Sequence, residues 1–248
     1  KYTRPIHLCF KRFQMKQIIT QHGWGLDQSF WEIYKVKFQK NKWYWQDNER
    51  GYFSKNAYQA KWIKNNYKYK IKMILCHSLG LRLIDKNLLI DASHIVLINS
   101  FYNFLPTNNK RNLVLRTLKR MEKKIITLKN NDMLKEFIDR SFLPNGVNID
   151  FQNIFDKNLK NLDKNLLLED LKQLYTDRIF PDVFNKNCNV IFIQSENDLI
   201  LNKDSSNNFI KFLDNMLTKK PIVIKLSNQG HCLTNFSLYE TINNILNN

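Results

Sequence analysis

The chain has 248 residues and a formal net charge of +17, from 39 Lys and Arg against 22 Asp and Glu. Hydrophobic residues make up 43% of the sequence and aromatic residues 13%, which excludes an intrinsically disordered chain. No apolar run approaches the roughly 20 residues that a membrane-spanning helix needs. We therefore expect a globular protein that holds its core without a disulfide or a metal.

The excess of basic residues has two interpretations. Lys and Arg gain affinity for nucleic acids by displacing counterions from phosphate. The sequence is also crowded with Lys, Asn and Ile, the bias of an AT-rich genome, which raises Lys without any partner. Arg is less inflated by that bias, so its placement is more informative. Five of the nine Arg cluster in the middle of the chain as a candidate docking surface for an acidic partner: Arg111, Arg116, Arg120, Arg140 and Arg178.

Four cysteines are scattered along the chain, with no C-x-x-C pair and no His at zinc-ligand spacing: Cys9, Cys76, Cys188 and Cys232. This pattern suits reduced thiols in a cytosolic protein. No positively charged lead is followed by an apolar stretch, so we expect no signal peptide and a cytoplasmic location.

Short apolar runs rich in β-branched and aromatic residues alternate with longer segments of helical periodicity, which is typical of a mostly parallel α/β sheet. Continuously apolar runs such as residues 95–98 and 190–193 suit strands covered on both faces. The expected strands are Ile6–Phe10, Gln17–Thr20, Lys42–Trp45, Lys70–Leu75, His94–Asn99, Asn189–Gln194 and Pro221–Lys225. The expected helices between them are Gln28–Gln39, Tyr58–Asn65, Leu79–Leu89, Ser205–Leu217 and Ser237–Leu246.

The alternation stops in the middle of the chain, where no convincing strand is found. The helical patterns there are Arg111–Leu128, Asn131–Phe142 and Asp163–Thr176. We interpret residues 104–180 as an all-helical cap, inserted into an α/β core formed by residues 1–103 and 181–248.

The first motif that carries chemistry runs from Leu75 to Gly80, after an apolar strand and at the start of a helical pattern. A G-x-S-x-G turn in this context holds its Ser on a sharp strand-to-helix bend, with the hydroxyl at a helix N-terminus. Ser78 occupies the Ser position, and Cys76 replaces the first Gly. Taken alone, the motif also fits a Ser N-cap on an ordinary turn.

A second motif, His22-Gly23-Trp24-Gly25, directly follows another expected strand. Its glycines permit backbone dihedrals and approach distances that a Cβ would block, so the turn can aim a backbone N–H at a developing oxyanion. Taken alone, this motif also fits a plain glycine-rich loop.

An acid and a histidine follow the last two strands. Asp198 comes after the penultimate strand, and His231 comes 33 residues later, after the last one. The chain order is therefore Ser78, Asp198, His231, which is the order of α/β-hydrolase triads. Two other acids compete with Asp198, but Glu196 comes earlier in the turn and Asp204 fits a helix start.

The residue types fit one chemistry. A Ser hydroxyl is a poor nucleophile until a His takes its proton, and the His needs a carboxylate to fix its tautomer and stabilise its charged form. Each motif is weak alone, but together, in order and all at strand ends, they indicate a serine hydrolase. The remaining histidines, His7, His77 and His94, are interpreted as packing residues.

The sequence resembles the α/β-hydrolase family across nearly its full length. More narrowly, it resembles the pimeloyl-acyl-carrier-protein methyl ester esterases of biotin synthesis (the BioH and BioK types). The residues that carry the resemblance are His22-Gly23-Trp24-Gly25-Leu26-Asp27, Phe30-Trp31, His77-Ser78-Leu79-Gly80, Leu143-Pro144-Asn145-Gly146 and Leu168-Glu169-Asp170-Leu171. The resemblance implies that Ser78 is the nucleophile, His231 the general base and Asp198 its orienting partner. It also implies that Trp24 and Leu79 supply the backbone N–H groups of the oxyanion hole.

The resemblance implies a reaction and a partner as well. The chain would hydrolyse the methyl ester of a pimeloyl group bound to an acidic acyl carrier protein, with no metal or organic cofactor. Arg residues of the cap meet the carrier in such esterases, and Arg111, Arg116 and Arg120 are the candidates, expected within reach of one helix face. The candidate pocket residues are Trp24, Phe101, Phe137 and Phe142.

Two other functions stay open. A broad carboxylesterase or thioesterase acting on small acyl esters would keep the triad and differ in its pocket. A catalytically idle hydrolase fold would serve as a binding module, for nucleic acid for example. A dehalogenase is disfavoured, because its nucleophile would be an Asp at the position of Ser78. We expect an enzyme that acts as a monomer and binds neither nucleic acid nor membrane.

Overall fold

The computed structural model describes residues 16–54, 56–63, 71–127, 130–176, 184–234 and 236–247. The strands among these residues are β1 (Lys16–Gln21), β2 (Trp43–Asn48), β3 (Ile71–His77), β4 (His94–Ile98), β5 (Asn189–Ser195) and β6 (Ile222–Leu226). They form one sheet in the order β2-β1-β3-β4-β5-β6, and every neighbouring pair is parallel. The expected strand Ile6–Phe10 lies outside the described residues.

Helices connect the strands and cover the sheet. They are α1 (Glu32–Lys40), α2 (Gly80–Leu83), α3 (Lys86–Ile90), α4 (Arg111–Ile126), α5 (Asn130–Phe142), α6 (Ile149–Asn158), α7 (Lys164–Gln173), α8 (Lys203–Met216) and α9 (Leu238–Asn247). None of the helices described is both long and apolar enough to cross a membrane.

The central strands are apolar on both sides because apolar layers cover both faces of the sheet. Along β4, Val96 and Ile98 belong to one buried cluster, and Ile95 and Leu97 belong to the other. Successive side chains of a strand point to opposite faces, so an unbroken apolar run fills both layers. The α/β fold predicted from these runs is confirmed.

One predicted helix, Tyr58–Asn65, is wrong for the residues that the structure describes. Tyr58 instead forms an antiparallel bridge with Glu49 through two backbone hydrogen bonds of 2.8 and 2.9 Å. Ala60 and Trp62 are buried while Lys61 between them is exposed, so the burial has the two-residue period of an extended chain.

Two helical segments differ in detail from the prediction. The expected helix Leu79–Leu89 divides into α2 and α3, because Ile84 is extended and Asp85 caps the second helix through a hydrogen bond from the Asn87 amide. Helix α6 was not predicted. Its signal in the sequence is Asn148, whose side chain accepts hydrogen bonds from the first amides of the helix.

Four helices, α4 to α7, stand between β4 and β5, and the described part of this segment contains no strand. We call α4 to α7 the helical insert. Its α4 packs against both α5 and α7, and its apolar side chains, such as Leu118, Leu134 and Leu167, belong to the same buried cluster as one face of the sheet. That residues 104–180 form a separate cap stays a prediction, since its boundary at 180 lies outside the described residues.

A buried carboxylate fastens the insert to the sheet. Asp170 of α7 is fully buried and accepts hydrogen bonds from Arg50 at 2.7 and 2.8 Å, from the Tyr52 hydroxyl at 2.6 Å and from Gln173 at 2.7 Å. The hydrogen bonds with Asp170 raise the pKa of the Arg50 guanidinium. This network therefore joins the loop after β2 to α7.

We expect Asp170→Asn to lower the free energy of unfolding by about 2–3 kcal/mol, because the new amide hydrogens would face the donors of Arg50 and Tyr52. This is less than the roughly 3–5 kcal/mol found for breaking a fully buried pair, because Arg50 is partly exposed. Urea denaturation measures the change. The control is Glu169→Gln, the same chemical change at the exposed neighbouring residue, and equal stability of the two variants would contradict the prediction.

Candidate active site

The parallel sheet brings the sequence motifs to one edge. Because every strand runs in the same direction, the residues that follow β1, β3, β5 and β6 all leave the sheet at its carboxyl edge. Ser78 follows β3 directly, Asp198 lies in the loop after β5, and His231 lies in the loop after β6.

Ser78 stands on a strained turn between β3 and α2. Its φ is 53°, in the left-handed region that residues with a Cβ rarely adopt, and its amide donates to the Ile98 carbonyl at 2.9 Å. The turn is tight, because a Cβ on Gly80 would lie 2.5 Å from the Gln21 carbonyl oxygen. Cys76, where the motif has glycine, is fully buried among apolar side chains and leaves the turn intact.

Asp198 and His231 form a buried pair. The Nδ1 atom of His231 lies 2.7 Å from Oδ2 of Asp198, and the two side chains are 2% and 5% exposed. The other carboxylate oxygen accepts hydrogen bonds from the amides of Ile200 and Leu201, each at 2.8 Å. The carboxylate is thus held by the backbone of its own loop, and it fixes the imidazole with Nε2 as the remaining ring nitrogen. The structure brings Asp198 to the histidine, whereas Glu196 is exposed.

Hydrogen bonds from residues at the ends of the central strands hold the backbone of His231 in place. Its carbonyl accepts hydrogen bonds from Asn99 Nδ2 at 2.7 Å and from His77 Nε2 at 2.9 Å. Asn99 is buried with a φ of 45°, and its Oδ1 accepts from the Ser195 amide at 2.8 Å. Asn99 therefore ties the ends of β4 and β5 to the histidine loop. Sequence reasoning missed this residue, and its only signal is an Asn directly after a buried strand.

His77 is a structural neighbour of the pair. Burial, together with the nearby His231 ring, lowers its pKa well below the usual range of histidine, so the ring is neutral. Since Nε2 donates to a carbonyl, Nδ1 carries no proton, and it has no hydrogen-bond partner among the described residues. A Cβ on Gly23 would lie 2.9 Å from that Nδ1 and 3.0 Å from Ser78 Cβ. Glycine at position 23 is therefore what lets the loop after β1 reach Ser78.

Two backbone amides flank Ser78. Leu79 follows it in the chain, and Trp24 follows Gly23 in the adjoining loop. Within the described ranges neither amide donates to another protein group, although both residues are buried. The Trp24 indole donates to the Leu167 carbonyl of α7 at 2.8 Å, which fixes the loop against the helical insert.

The same loop is held from the other side by polar contacts of His22 and Glu49. His22 Nε2 accepts a hydrogen bond from the Arg50 amide at 3.2 Å and lies 3.5 Å from Glu49 Oε1, and Glu49 accepts hydrogen bonds from the amides of Gln28 and Gly51. Burial lowers the pKa of His22, but the Glu49 carboxylate raises it more, so that the net shift is upward. These contacts connect the loops that follow β1 and β2.

A cavity of about 400 Å³ opens beside Ser78, between the sheet and the insert. Its lining residues are Trp24, Ser78, Phe104, Leu113, Val114, Thr117, Leu118, Arg120, Met121, Lys124, Met133, Glu136, Phe137, Arg140, Leu174, Leu199 and Ile200. Of the predicted pocket residues, Trp24 and Phe137 line it. Phe101 and Phe142 do not, because Phe101 packs on Phe104 and Phe142 packs on Phe151 in the core.

The predicted docking arginines lie on α4 and are exposed. Arg116 and Arg120 share one side of the helix, and Arg120 lines the cavity. The expectation that Arg111 lies within reach of that side is wrong. Nine positions separate Arg111 from Arg120, and at about 3.6 residues per turn these two point to opposite sides. Arg178 lies outside the described residues.

No family model and no curated protein sequence matches the chain. The chain does match solved structures. The chain is similar to a bromoperoxidase from Bacillus anthracis, with a TM-score of 0.70 and 16% identity over 94% of this chain and 91% of that one. It is similar to an esterase from Exiguobacterium antarcticum, with a TM-score of 0.65 and 12% identity over 94% and 90% of the two chains. For MenH from S. aureus the TM-score is 0.60, at 12% identity over 94% and 92%. The parallel sheet, the turn at Ser78 and these likenesses show that the chain has the α/β-hydrolase fold.

Proposed function

We propose that the chain is a serine esterase that hydrolyses the methyl ester of pimeloyl-acyl-carrier protein and so supplies the pimeloyl-carrier for biotin synthesis. The observation that carries the esterase assignment is the buried hydrogen bond of 2.7 Å between His231 and Asp198, at the same sheet edge as the strained turn of Ser78. The choice of substrate rests on the resemblance of the sequence to esterases of biotin synthesis.

In the proposed reaction the Ser78 hydroxyl attacks the ester carbonyl, and His231 Nε2 accepts its proton. Asp198 holds the imidazole in the required tautomer and stabilises the imidazolium. The amides of Trp24 and Leu79 donate to the oxyanion. Methanol leaves with the proton from His231, and a water activated by the same imidazole then releases the free acid. No step requires a metal or an organic cofactor.

The cavity supports an apolar acyl chain as the bound group. Helices α4 and α5 supply eleven of the seventeen lining residues, six of them apolar, and Ser78 and Trp24 contribute to the lining from the sheet side. Leu113 and Leu199 of this wall are strongly exposed, so the wall continues onto the protein surface. A chain tethered to a larger partner could enter here, which is what a carrier-bound substrate requires.

A broad carboxylesterase or thioesterase is the second candidate. The solved structures that share the fold include a carboxylesterase from Bacillus subtilis, with a TM-score of 0.59 and 14% identity over 94% of this chain. Such an enzyme would use the same three residues and would need no carrier protein.

The first test is an assay of the purified protein on pimeloyl-carrier methyl ester. We expect the wild type to release pimeloyl-carrier and Ser78→Ala to lose almost all turnover, because no other hydroxyl occupies the strained turn. Mass spectrometry of the carrier measures the product. Ser54→Ala, at an exposed serine that does not line the cavity, should retain wild-type turnover.

The outcomes separate the candidates. Cleavage of short soluble esters alone would keep the serine mechanism and remove the carrier substrate. If neither substrate is cleaved, the esterase proposal fails and the catalytically idle binding module takes its place.

A substitution at Asn99 tests whether its hydrogen bond to the His231 carbonyl positions the histidine. We expect Asn99→Asp to lower kcat roughly tenfold, equivalent to about 1.4 kcal/mol, because the carboxylate cannot donate to the His231 carbonyl. KM should change little, since Asn99 does not line the cavity. Unchanged kcat in a folded variant would remove Asn99 from the mechanism.

The carrier-docking proposal concerns Arg111, Arg116 and Arg120, whose guanidinium groups suit the carboxylates of an acidic carrier. Reversing all three charges to Glu should raise KM for the carrier-linked ester and leave turnover of a small neutral ester unchanged. Because Arg116 and Arg120 share a side of α4, Arg116→Glu should have a larger effect than Arg111→Glu. Unchanged turnover of the carrier-linked ester in the triple variant would exclude docking at this helix.

A further inference from the structure

Two stripes of side chains face each other across the cavity. On α5 the lining residues are Met133, Glu136, Phe137 and Arg140, whose spacings of three and four residues place them on one face of the helix. On α4 the stripe includes Thr117, Leu118, Arg120, Met121 and Lys124. Leu118 and Met133 of these stripes are buried, whereas Arg120, Glu136 and Arg140 are exposed.

An ion pair shows which residues of the two helices lie opposite each other. Lys124 Nζ of α4 lies 3.2 Å from Glu136 Oε2 of α5. Only three residues separate the end of α4 at Ile126 from the start of α5 at Asn130, so α5 turns back along α4. Arg120 lies four residues before Lys124 on α4, and Arg140 lies four residues after Glu136 on α5. Both arginines are therefore about one helical turn farther from the connection than the ion pair.

One turn from the ion pair, both helices therefore carry a cation, Arg120 on α4 and Arg140 on α5. Glu136 is the only acidic side chain that lines the cavity among the described residues, and it is bound to Lys124. Within the same part of the chain, neither Arg120 nor Arg140 forms an ion pair with a carboxylate. Like charges on facing positions repel, and an anion between them would remove that repulsion.

We propose that Arg120 and Arg140 form a subsite for an anionic group of the substrate, at the end of the acyl chain remote from the ester. The inference rests on the proposed esterase function, not on the carrier-linked substrate, and adds a second substrate class to it: small esters whose acyl chain ends in a free carboxylate or a phosphate. An ester bound at Ser78 would lay its chain along the apolar wall, and the terminal anion would accept hydrogen bonds from the two guanidinium groups. A neutral ester of the same length would leave both cations without a counter-ion.

Matched small esters test this without a carrier protein. The probes are methyl heptanoate, monomethyl pimelate and the methyl ester of a heptanoic acid that carries a terminal phosphate. We expect kcat/KM to be at least tenfold higher for one or both anionic esters than for methyl heptanoate, through a lower KM. The preference should fall as salt rises, because both guanidinium groups are exposed. The two anionic probes distinguish a carboxylate source from a phosphate source.

Single neutralising variants locate the subsite. Arg120→Gln and Arg140→Gln should each remove most of the preference for the anionic ester, because kcat/KM for the anionic ester should fall at least several-fold more than kcat/KM for methyl heptanoate. The control is Lys123→Gln, which removes an exposed positive charge from α4 at a residue that does not line the cavity. It should behave as the wild type.

Failure of this inference is distinguishable from failure of the esterase proposal. Equal kcat/KM for the neutral and anionic esters, or a preference that survives both Arg variants, would overturn the anion subsite while the esterase stands. Absence of hydrolysis for all three esters and for the carrier-linked ester would overturn both.

Discussion

The site depends on one close approach between two backbones. The turn after β3 packs against the loop after β1 so tightly that a Cβ on Gly80 would lie 2.5 Å from a carbonyl oxygen of that loop. From the opposite side, a Cβ on Gly23 would collide with the ring of His77 and approach Ser78. Two residues without side chains thus allow the loop with Trp24 to lie beside Ser78. Larger residues at either position would separate the serine from the amide of Trp24.

The strain at Ser78 is supported by contacts that do not belong to the turn itself. The Ser78 amide donates to β4, and Asn99, also at the end of β4, is held in a left-handed conformation by contacts with β5 and with the histidine loop. Two adjacent central strands therefore end in residues with positive φ, each fixed by hydrogen bonds to the next strand. Conformations of this kind persist only where the surroundings over-determine them, and here the buried centre of the sheet does so.

The features that could be predicted from the sequence are those that a local pattern of residues encodes. Central strands such as β4 are continuous apolar runs, and Ser78, Asp198 and His231 each follow such a strand, so the parallel topology was enough to expect them together. The clamp of Asn99 on His231 joins residues that are far apart in the chain, and no local pattern encodes it. The sequence could not distinguish Phe101 and Phe142, which fill the core, from Phe137, which lines the cavity. An aromatic residue has the same spacing from its apolar neighbours in both situations. The helix predicted at Tyr58–Asn65 is wrong for the described residues 58–63, because the backbone bridge between Tyr58 and Glu49, which lie nine positions apart, fixes an extended chain there.

The charges of the chain have more than one origin, and position separates them. Many Lys residues form exposed ion pairs, such as Lys119 with Glu122 and Lys135 with Asp156, and surface pairs of this kind contribute little to stability. Arg50 is different, because it is partly buried and two of its nitrogens donate to the two carboxylate oxygens of Asp170. Arg120 and Arg140 differ again, since they line a cavity and have no carboxylate of their own among the described residues. A compositional bias toward Lys explains charge on the outer surface, but it does not explain two guanidinium groups on facing helices at one level of a cavity that leads to Ser78.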